Sequence, residues 1–220
     1  MIGFKDVTRI YDNMTALRKV TFGIEKGEFV YVTGPSGAGK STLLKLIYLA
    51  EKPDEGTISI AGWDTDTLRE PSIPYLRRNI GVVFQDFKLL GNRTVYDNIA
   101  LALRIRGFRE SEIKGRVQDA LKLVGLRHKT DNFPVALSGG EQQRITIARA
   151  IVGEPTVLLA DEPTGNLDVD NAAGIMKILK EINARGTTIL IATHNRELFR
   201  NTGLRVIWMY SGNLVADEEG

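Results

Sequence analysis

The chain has no cysteine. That excludes disulfides and thiolate metal sites, and it fits a reducing compartment such as the cytoplasm. It has no strong charge of either sign: 29 Lys and Arg stand against 27 Asp and Glu, a net charge of +2, so composition gives no case for nucleic acid as the main partner. Long apolar runs are missing too. The longest aliphatic stretches, Val157–Ala160 and Ile189–Ala192, fall far short of the roughly 20 residues a spanning helix needs. Met1 to Ile10 lacks the apolar h-region of a secretory signal. Any membrane role is therefore expected to come through a partner. No internal repeat and no low-complexity tract interrupts the 220 residues, a length that suits one large domain.

What is present begins as β structure. Val20, Phe22 and Ile24 alternate, as do Ile58 and Ile60, with Gly-containing turns at Lys26-Gly27 and Glu55-Gly56. Between them an apolar strand, Phe29 to Thr33, leads through a glycine-rich turn into a helical stretch carrying Leu43, Leu44, Ile47 and Leu49. The middle reads as helical. Thr94 is placed to cap a helix with Val95, Ile99 and Leu103 on one face and Gly107 as its stop; Ile113, Val117, Leu121 and Val124 precede Gly125 in the same way. Short buried strands then alternate with a helix: Val157 to Ala160, the helix holding Ile175 to Ile182, and Thr187 to Thr193. Such alternation implies a mainly parallel sheet. Leu204 to Tyr210 and Leu214 to Ala216, around Ser211-Gly212-Asn213, predict a closing hairpin, with Asp217 to Gly220 as a frayed tail.

Gly34-Pro35-Ser36-Gly37-Ala38-Gly39-Lys40-Ser41-Thr42 fits G-x-x-x-x-G-K-[ST] without a mismatch. A triphosphate needs many donors at close range. Bare glycines let successive backbone N–H groups point inward, and the helix that follows adds its positive N-terminus. Lys40 would reach the β- and γ-phosphates, and Ser41 would sit on Mg²⁺. No Asn-Lys-x-Asp run is present to read guanine. Val157 to Ala160 then delivers Asp161 and Glu162 to the end of a strand. With a phosphate loop upstream, Asp161 is placed as a second metal-holding group and Glu162 as the carboxylate that orients the attacking water.

Leu137-Ser138-Gly139-Gly140-Glu141-Gln142-Gln143-Arg144 has a plain structural reading, because Ser138 and Glu141 form a capping box opening a helix from Glu141 to Val152. The paired glycines are not explained by capping. They make a second bare anion-binding helix end in the same chain. With these motifs the chain resembles the ABC ATPase family over essentially its whole length. The resemblance implies an α/β P-loop fold, with a mainly parallel RecA-like core sheet, an N-terminal antiparallel β subdomain and a helical insert at about 87–152. All of these would lie within one ATP-binding domain, 1–220.

The same resemblance implies ATP and Mg²⁺ as ligands and a homodimer formed on ATP binding. Ser138, Gly139, Gly140 and Glu141 of one copy would then face the γ-phosphate held by the other. It assigns Tyr11 to adenine stacking and Asp168, in Gly165-Asn-Leu-Asp168, to the dimer interface. Gln85 would touch Mg²⁺ and the attacking water, and His194 the γ-phosphate. Glu162, His194, Gln85 and Lys40 thus form the implied catalytic set, and Ser41, Gln85 and Asp161 the implied metal set. The other histidine, His128, sits in no motif.

Within the family, Ile73 to Leu90 and Arg93-Thr-Val-Tyr-Asp-Asn98 resemble the cell-division branch. That branch implies an FtsX-like integral membrane partner docking near Gln85–Tyr96 and a place on the inner face of the cell membrane. Its output would be control of peptidoglycan hydrolases. The stretch Leu137 to Asp168 is shared with ATPases of lipoprotein release and macrolide export, which are the alternative. From Arg104 to Lys129, eight Lys or Arg against three acids read as solvated helix faces, with contact to anionic lipid the second reading.

Overall fold

Two apolar surfaces organise the chain, and each parallel strand of the larger sheet serves both. The computed structural model describes residues 1–220. Strands β1 (Ile2–Tyr11) and β2 (Met14–Ile24) form a long hairpin, joined on the other side of β1 by β4 (Glu55–Ile60) and the short β5 (Trp63–Asp64). This antiparallel sheet has the order β2-β1-β4-β5. Its alternating residues Ile2, Phe4, Val20, Phe22, Ile24, Ile58 and Ile60 are all buried, and the Phe4 and Phe22 rings stack 4.7 Å apart.

The second sheet holds β3 (Phe29–Thr33), β6 (Ile80–Val83), β7 (Val157–Asp161), β8 (Thr188–Ala192), β9 (Arg205–Tyr210) and β10 (Asn213–Glu219), in the order β10-β9-β3-β8-β7-β6. Every pairing is parallel except β9 with β10. Side chains alternate between its faces. Val30, Val32, Leu159 and Leu190 join the antiparallel sheet and α1 (Lys40–Ile47) in one apolar cluster. Phe29, Tyr31, Leu158 and Ile189 join the other, with α3 (Val95–Ile105), α4 (Glu110–Leu123), α5 (Gly139–Ile151) and α6 (Val169–Ala184). A short helix, α2 (Ile73–Arg77), leads into β6. A parallel strand buried on both faces reads as an unbroken apolar run, as in Val157–Ala160.

The expected caps are present. Thr94 accepts from the Asp97 amide at 3.1 Å at the start of α3. Ser138 accepts from the Glu141 amide at 3.3 Å while the Glu141 carboxylate accepts from the Ser138 amide at 2.9 Å, the two halves of a capping box on α5.

Three expectations fail. Glu55-Gly56 is not a turn but opens β4, where Gly56 keeps a left-handed φ of 82°. The acidic end does not fray: Asp217, Glu218 and Glu219 belong to β10, and the Gly220 amide donates to the Leu204 carbonyl at 2.8 Å. Arg205 supplies the reason. It grips both oxygens of Asp217 at 2.7 and 2.6 Å, so the first of these carboxylates meets a counter-charge that ties β10 to β9. Nor does the helix after the glycine loop reach Leu49. It ends at Ile47, and Leu49 is buried from a turn with a left-handed backbone, φ 57°. Apolar spacing alone does not mark that stop.

Candidate functional site

Four strands of the larger sheet end at one edge, and each delivers a different part of the site. β3 runs into Gly34–Lys40, β6 is followed by Gln85, β7 ends in Asp161 and Glu162, and β8 leads to His194. The carboxyl ends of parallel strands are where open α/β sheets bind ligands. Here they enclose a cleft of about 570 Å³ lined by Tyr11, the loop from Pro35 to Thr42, Gln85, Asp161, Glu162 and His194.

The glycine loop is shaped by close approach as much as by φ. A Cβ on Gly34, at φ 145°, would fall 2.0 Å from the Met209 carbonyl oxygen; one on Gly39, at φ 103°, would fall 2.6 Å from that of Ala16. Only glycine fits at either position. The chain then enters α1, whose first residue is Lys40. The lysine is buried and its Nζ donates to the carbonyls of Gly34 and Pro35 at 2.7 and 3.0 Å, folding back over its own loop. Burial lowers the Lys40 pKa, opposed by the nearby Glu162 and Asp161 charges.

Burial likewise raises the Asp161 carboxyl above the ordinary aspartate range, and Glu162 pushes the same way. A hydrogen bond with Ser41, and then the Lys40 charge, pull it back. Ser41 and Asp161 both line the cleft, one from the start of a helix and the other from the end of a buried strand. Glu162 is held more tightly. Its backbone is left-handed, φ 46°, and its amide donates to the Ala192 carbonyl at 2.8 Å. Its carboxylate accepts from the Thr193 hydroxyl and the His194 amide, both at 3.0 Å, and one oxygen lies 2.6 Å from His194 Nδ1. The carboxylate is 12% exposed against 68% for the imidazole. The fixed member of the pair is the acid.

Ser138, Gly139, Gly140, Glu141 and Asp168 do not line this cleft. A Cβ on Gly140 would fall 2.5 Å from Asn171 Oδ1, and one on Gly139 only 3.9 Å from Leu167 and Phe87. Asp168 caps α6, accepting from the Asn171 amide at 2.8 Å and its side-chain amide at 2.7 Å; hydrogen bonding to the Asn171 backbone leads the lowering of its pKa. The Glu141 carboxyl is lowered as well, by the Ser138 amide and then by Lys129, against the effect of burial. One chain thus carries two glycine-bearing helix N-termini that face different spaces.

Of the apolar residues past Gln85, Leu89 and Tyr96 pack against the larger cluster, while Leu90 is exposed. Arg149 orders the segment by donating to the Phe87 and Lys88 carbonyls at 2.8 and 2.6 Å. In the basic stretch, Arg104 pairs with Asp97 and Glu110, Arg116 with Glu154 and Lys129 with Glu141. His128 lies in a short turn outside the cleft. Met14, Thr15 and Ala16 also line the cleft, and sequence reading missed them. No chemical type marks them; the hairpin turn at Gly212, which bonds to both Arg18 and Ala38, brings β2 against the glycine loop.

Residues 17–165 match the family model described as ABC transporter. The chain belongs to the ABC transporter family. This ABC ATPase is 54% identical to the cell division ATP-binding protein FtsE of Bacillus subtilis, over 99% of the chain and 96% of that protein. With FtsE of Streptococcus pneumoniae the identity is 52%, over 99% and 95%, and with that of Escherichia coli 49%, over 97% of each. Its fold matches the ATP-binding cassette MJ0796, solved as a post-hydrolysis dimer bound to ADP and Pi, with a TM-score of 0.89 and 36% identity over 100% of this chain and 98% of that one.

Proposed function

We propose that this ABC ATPase works as a pair of copies that clamp two ATP molecules and drive a membrane partner in bacterial cell division. The observation that carries the reading is the cleft. Phosphate loop, half-buried Asp161, tethered Glu162, Gln85 and Tyr11 converge on one space, in a chain half-identical to FtsE over nearly its full length.

Lys40 exchanges the Gly34 and Pro35 carbonyls for the β- and γ-phosphates, and the loop amides and the N-terminus of α1 take the remaining oxygens. The donors facing that position suit Mg²⁺. Asp161 offers a carboxylate, Ser41 a hydroxyl and Gln85 an amide oxygen, all hard ligands, and no cluster of three acidic, His or Cys side chains forms a complete cage. Mg²⁺ habitually keeps waters and substrate phosphates in its shell. When bound, it would neutralise charge on the phosphate oxygens. Glu162 accepts a proton from, and orients, the attacking water, held in place by Thr193 and His194. Tyr11 stacks on adenine.

Ser138, Gly139, Gly140 and Glu141 of the second copy close each site, with Asp168 at the interface. The dimeric relative bound to ADP and Pi supports this arrangement. The segment 87–152 acts as a helical insert within one ATP-binding domain spanning 1–220. The surface near Gln85–Tyr96 receives an FtsX-like membrane protein, which places the chain at the inner face of the membrane. No helix here is long and apolar enough to cross one. The named relatives favour this reading over lipoprotein release or macrolide export. Affinity purification of the tagged chain from membranes tests it. Recovery of a four-span protein with one large external loop supports the division reading, and recovery of an export or lipoprotein-release permease overturns it.

A further inference from the structure

Tyr11, the last residue of β1, does not stand alone at the mouth of the cleft. Its hydroxyl hydrogen-bonds to the Glu51 carboxylate. Glu51 leaves the turn after α1 and is itself held from two directions: Arg9 Nε reaches one oxygen at 3.2 Å and Lys45 Nζ the other at 3.2 Å. The Arg9 guanidinium lies 4.8 Å from the centre of the Tyr11 ring, and the Lys45 ammonium 5.9 Å. Asp54 completes the bracket. It accepts from Arg9 at 3.1 Å and from the Ile10 amide at 2.7 Å, while its own amide donates to the Thr8 carbonyl at 2.9 Å.

This network has a direction. Lys45 lies on α1, the helix whose N-terminus is the phosphate loop, and Glu51 follows that helix's end. The ring at one side of the cleft is therefore fixed from the same element that shapes the other side. A tyrosine at a strand end has freedom in χ1 and χ2. Binding a base on it unaided would require ordering the ring at that moment, and preorganisation removes that cost. The two cations serve a second purpose. They neutralise a carboxylate that would otherwise stand near incoming phosphates. Burial works against the ionised form of Glu51, but hydrogen bonds from Tyr11 and Lys45 prevail and hold its pKa below the usual range.

We propose that Glu51 is a positioning residue for nucleotide binding: with Arg9 and Lys45 it locks the Tyr11 ring in the orientation that receives adenine and ties that ring to the phosphate-loop helix. The proposal rests on the assignment of Tyr11 to adenine.

The test is steady-state ATPase kinetics on Glu51→Ala, Tyr11→Phe, their double variant and Tyr11→Ala, with inorganic tripolyphosphate as a competitive inhibitor that has no base. Glu51→Ala and Tyr11→Phe should each raise KM for ATP about fivefold to tenfold, the range of one ordinary net hydrogen bond. They should leave kcat and the tripolyphosphate inhibition constant unchanged. The double variant should be no worse than either alone, since both remove the same bond. If Glu51→Ala weakens tripolyphosphate as much as ATP, Glu51 supports the phosphate loop and the proposal is overturned. It is also overturned if Tyr11→Phe has wild-type KM, a readout that does not depend on how well Glu51→Ala folds. Tyr11→Ala separates the two levels. An unchanged KM there removes the adenine assignment itself, whereas a raised KM beside a wild-type Glu51→Ala removes only the role of Glu51.

Discussion

The Glu162 carboxylate meets His194 twice, accepting from its backbone amide at 3.0 Å and lying 2.6 Å from its Nδ1. The amide contact and the Thr193 hydroxyl fix the carboxylate without help from the ring, so the acid keeps its place even when the imidazole moves. An exposed imidazole beside a fixed acid fits the proposed contact of His194 with the γ-phosphate. Glu162→Gln keeps the shape and the hydrogen-bond acceptor while removing the base. It should bind ATP normally, lose roughly a hundredfold or more in kcat, and accumulate a closed dimer on size-exclusion chromatography. Turnover at the wild-type rate would remove Glu162 from the chemistry.

Asp161 should show the opposite relation between function and stability. Its folded pKa lies above the ordinary value of 3.8 because burial penalises the charge. Between 3.8 and the raised value the folded chain holds the proton more tightly than the unfolded chain. Stability therefore falls as pH rises through that window and stays lower above it. Asp161→Asn removes the penalty. We expect the nucleotide-free variant to melt a few degrees higher at pH 7, a gain of about 1 kcal/mol, while Mg²⁺-dependent ATPase activity collapses. A lower melting temperature at pH 7 would show that Asp161 stabilises the fold instead.

Much of this was legible in the residues themselves. The phosphate loop was visible because triphosphate chemistry restricts residue type at several fixed spacings, and the β7 run because a strand buried on both faces allows only apolar residues. Ser138 and Glu141 were visible as a cap for the same kind of local reason. What escaped had no local signature. Ala16 shapes the loop through its carbonyl oxygen, which any residue could supply. Glu51 meets Tyr11 across forty positions of chain. The C-terminal acids read as a loose tail because the counter-charge of Asp217, Arg205, is named only by the pairing of β9 with β10.

Arg205 also predicts a variant that separates stability from catalysis. Besides Asp217 it contacts Glu28 at 3.3 Å and the Gly23 carbonyl at 2.8 Å. It sits at the start of β9, opposite Val30, whereas the phosphate loop follows the far end of β3. Arg205→Ala leaves Glu28 and Asp217 without their shared partner, at a cost of about 1–2 kcal/mol. The melting temperature should fall by several degrees, with kcat and KM for ATP unchanged. A change in either constant, measured well below the transition, would refute this separation.

The sharpest prediction concerns where the second half of each site comes from. Ser138 to Glu141 lie outside the cleft of their own chain, so a defect there should be cured by a second copy that is defective elsewhere. Lys40→Ala should abolish ATP binding by removing the phosphate contact. Gly139→Asp should abolish hydrolysis by setting a carboxylate against the γ-phosphate, yet it should fold. A Cβ at Gly139 meets only ordinary contacts at 3.9 Å, and an acid is favourable in the first turn of α5. Each variant alone should be inactive. Mixed, a heterodimer pairs the intact phosphate loop of the Gly139→Asp chain with the intact glycine pair of the Lys40→Ala chain, and leaves both defects together in the other site. ATPase activity should therefore reappear on mixing and rise with the fraction of heterodimer, toward about half the wild-type rate if the two sites act independently. Mixtures that stay inactive while the heterodimer is seen to form would mean that Gly139 serves no site across the interface.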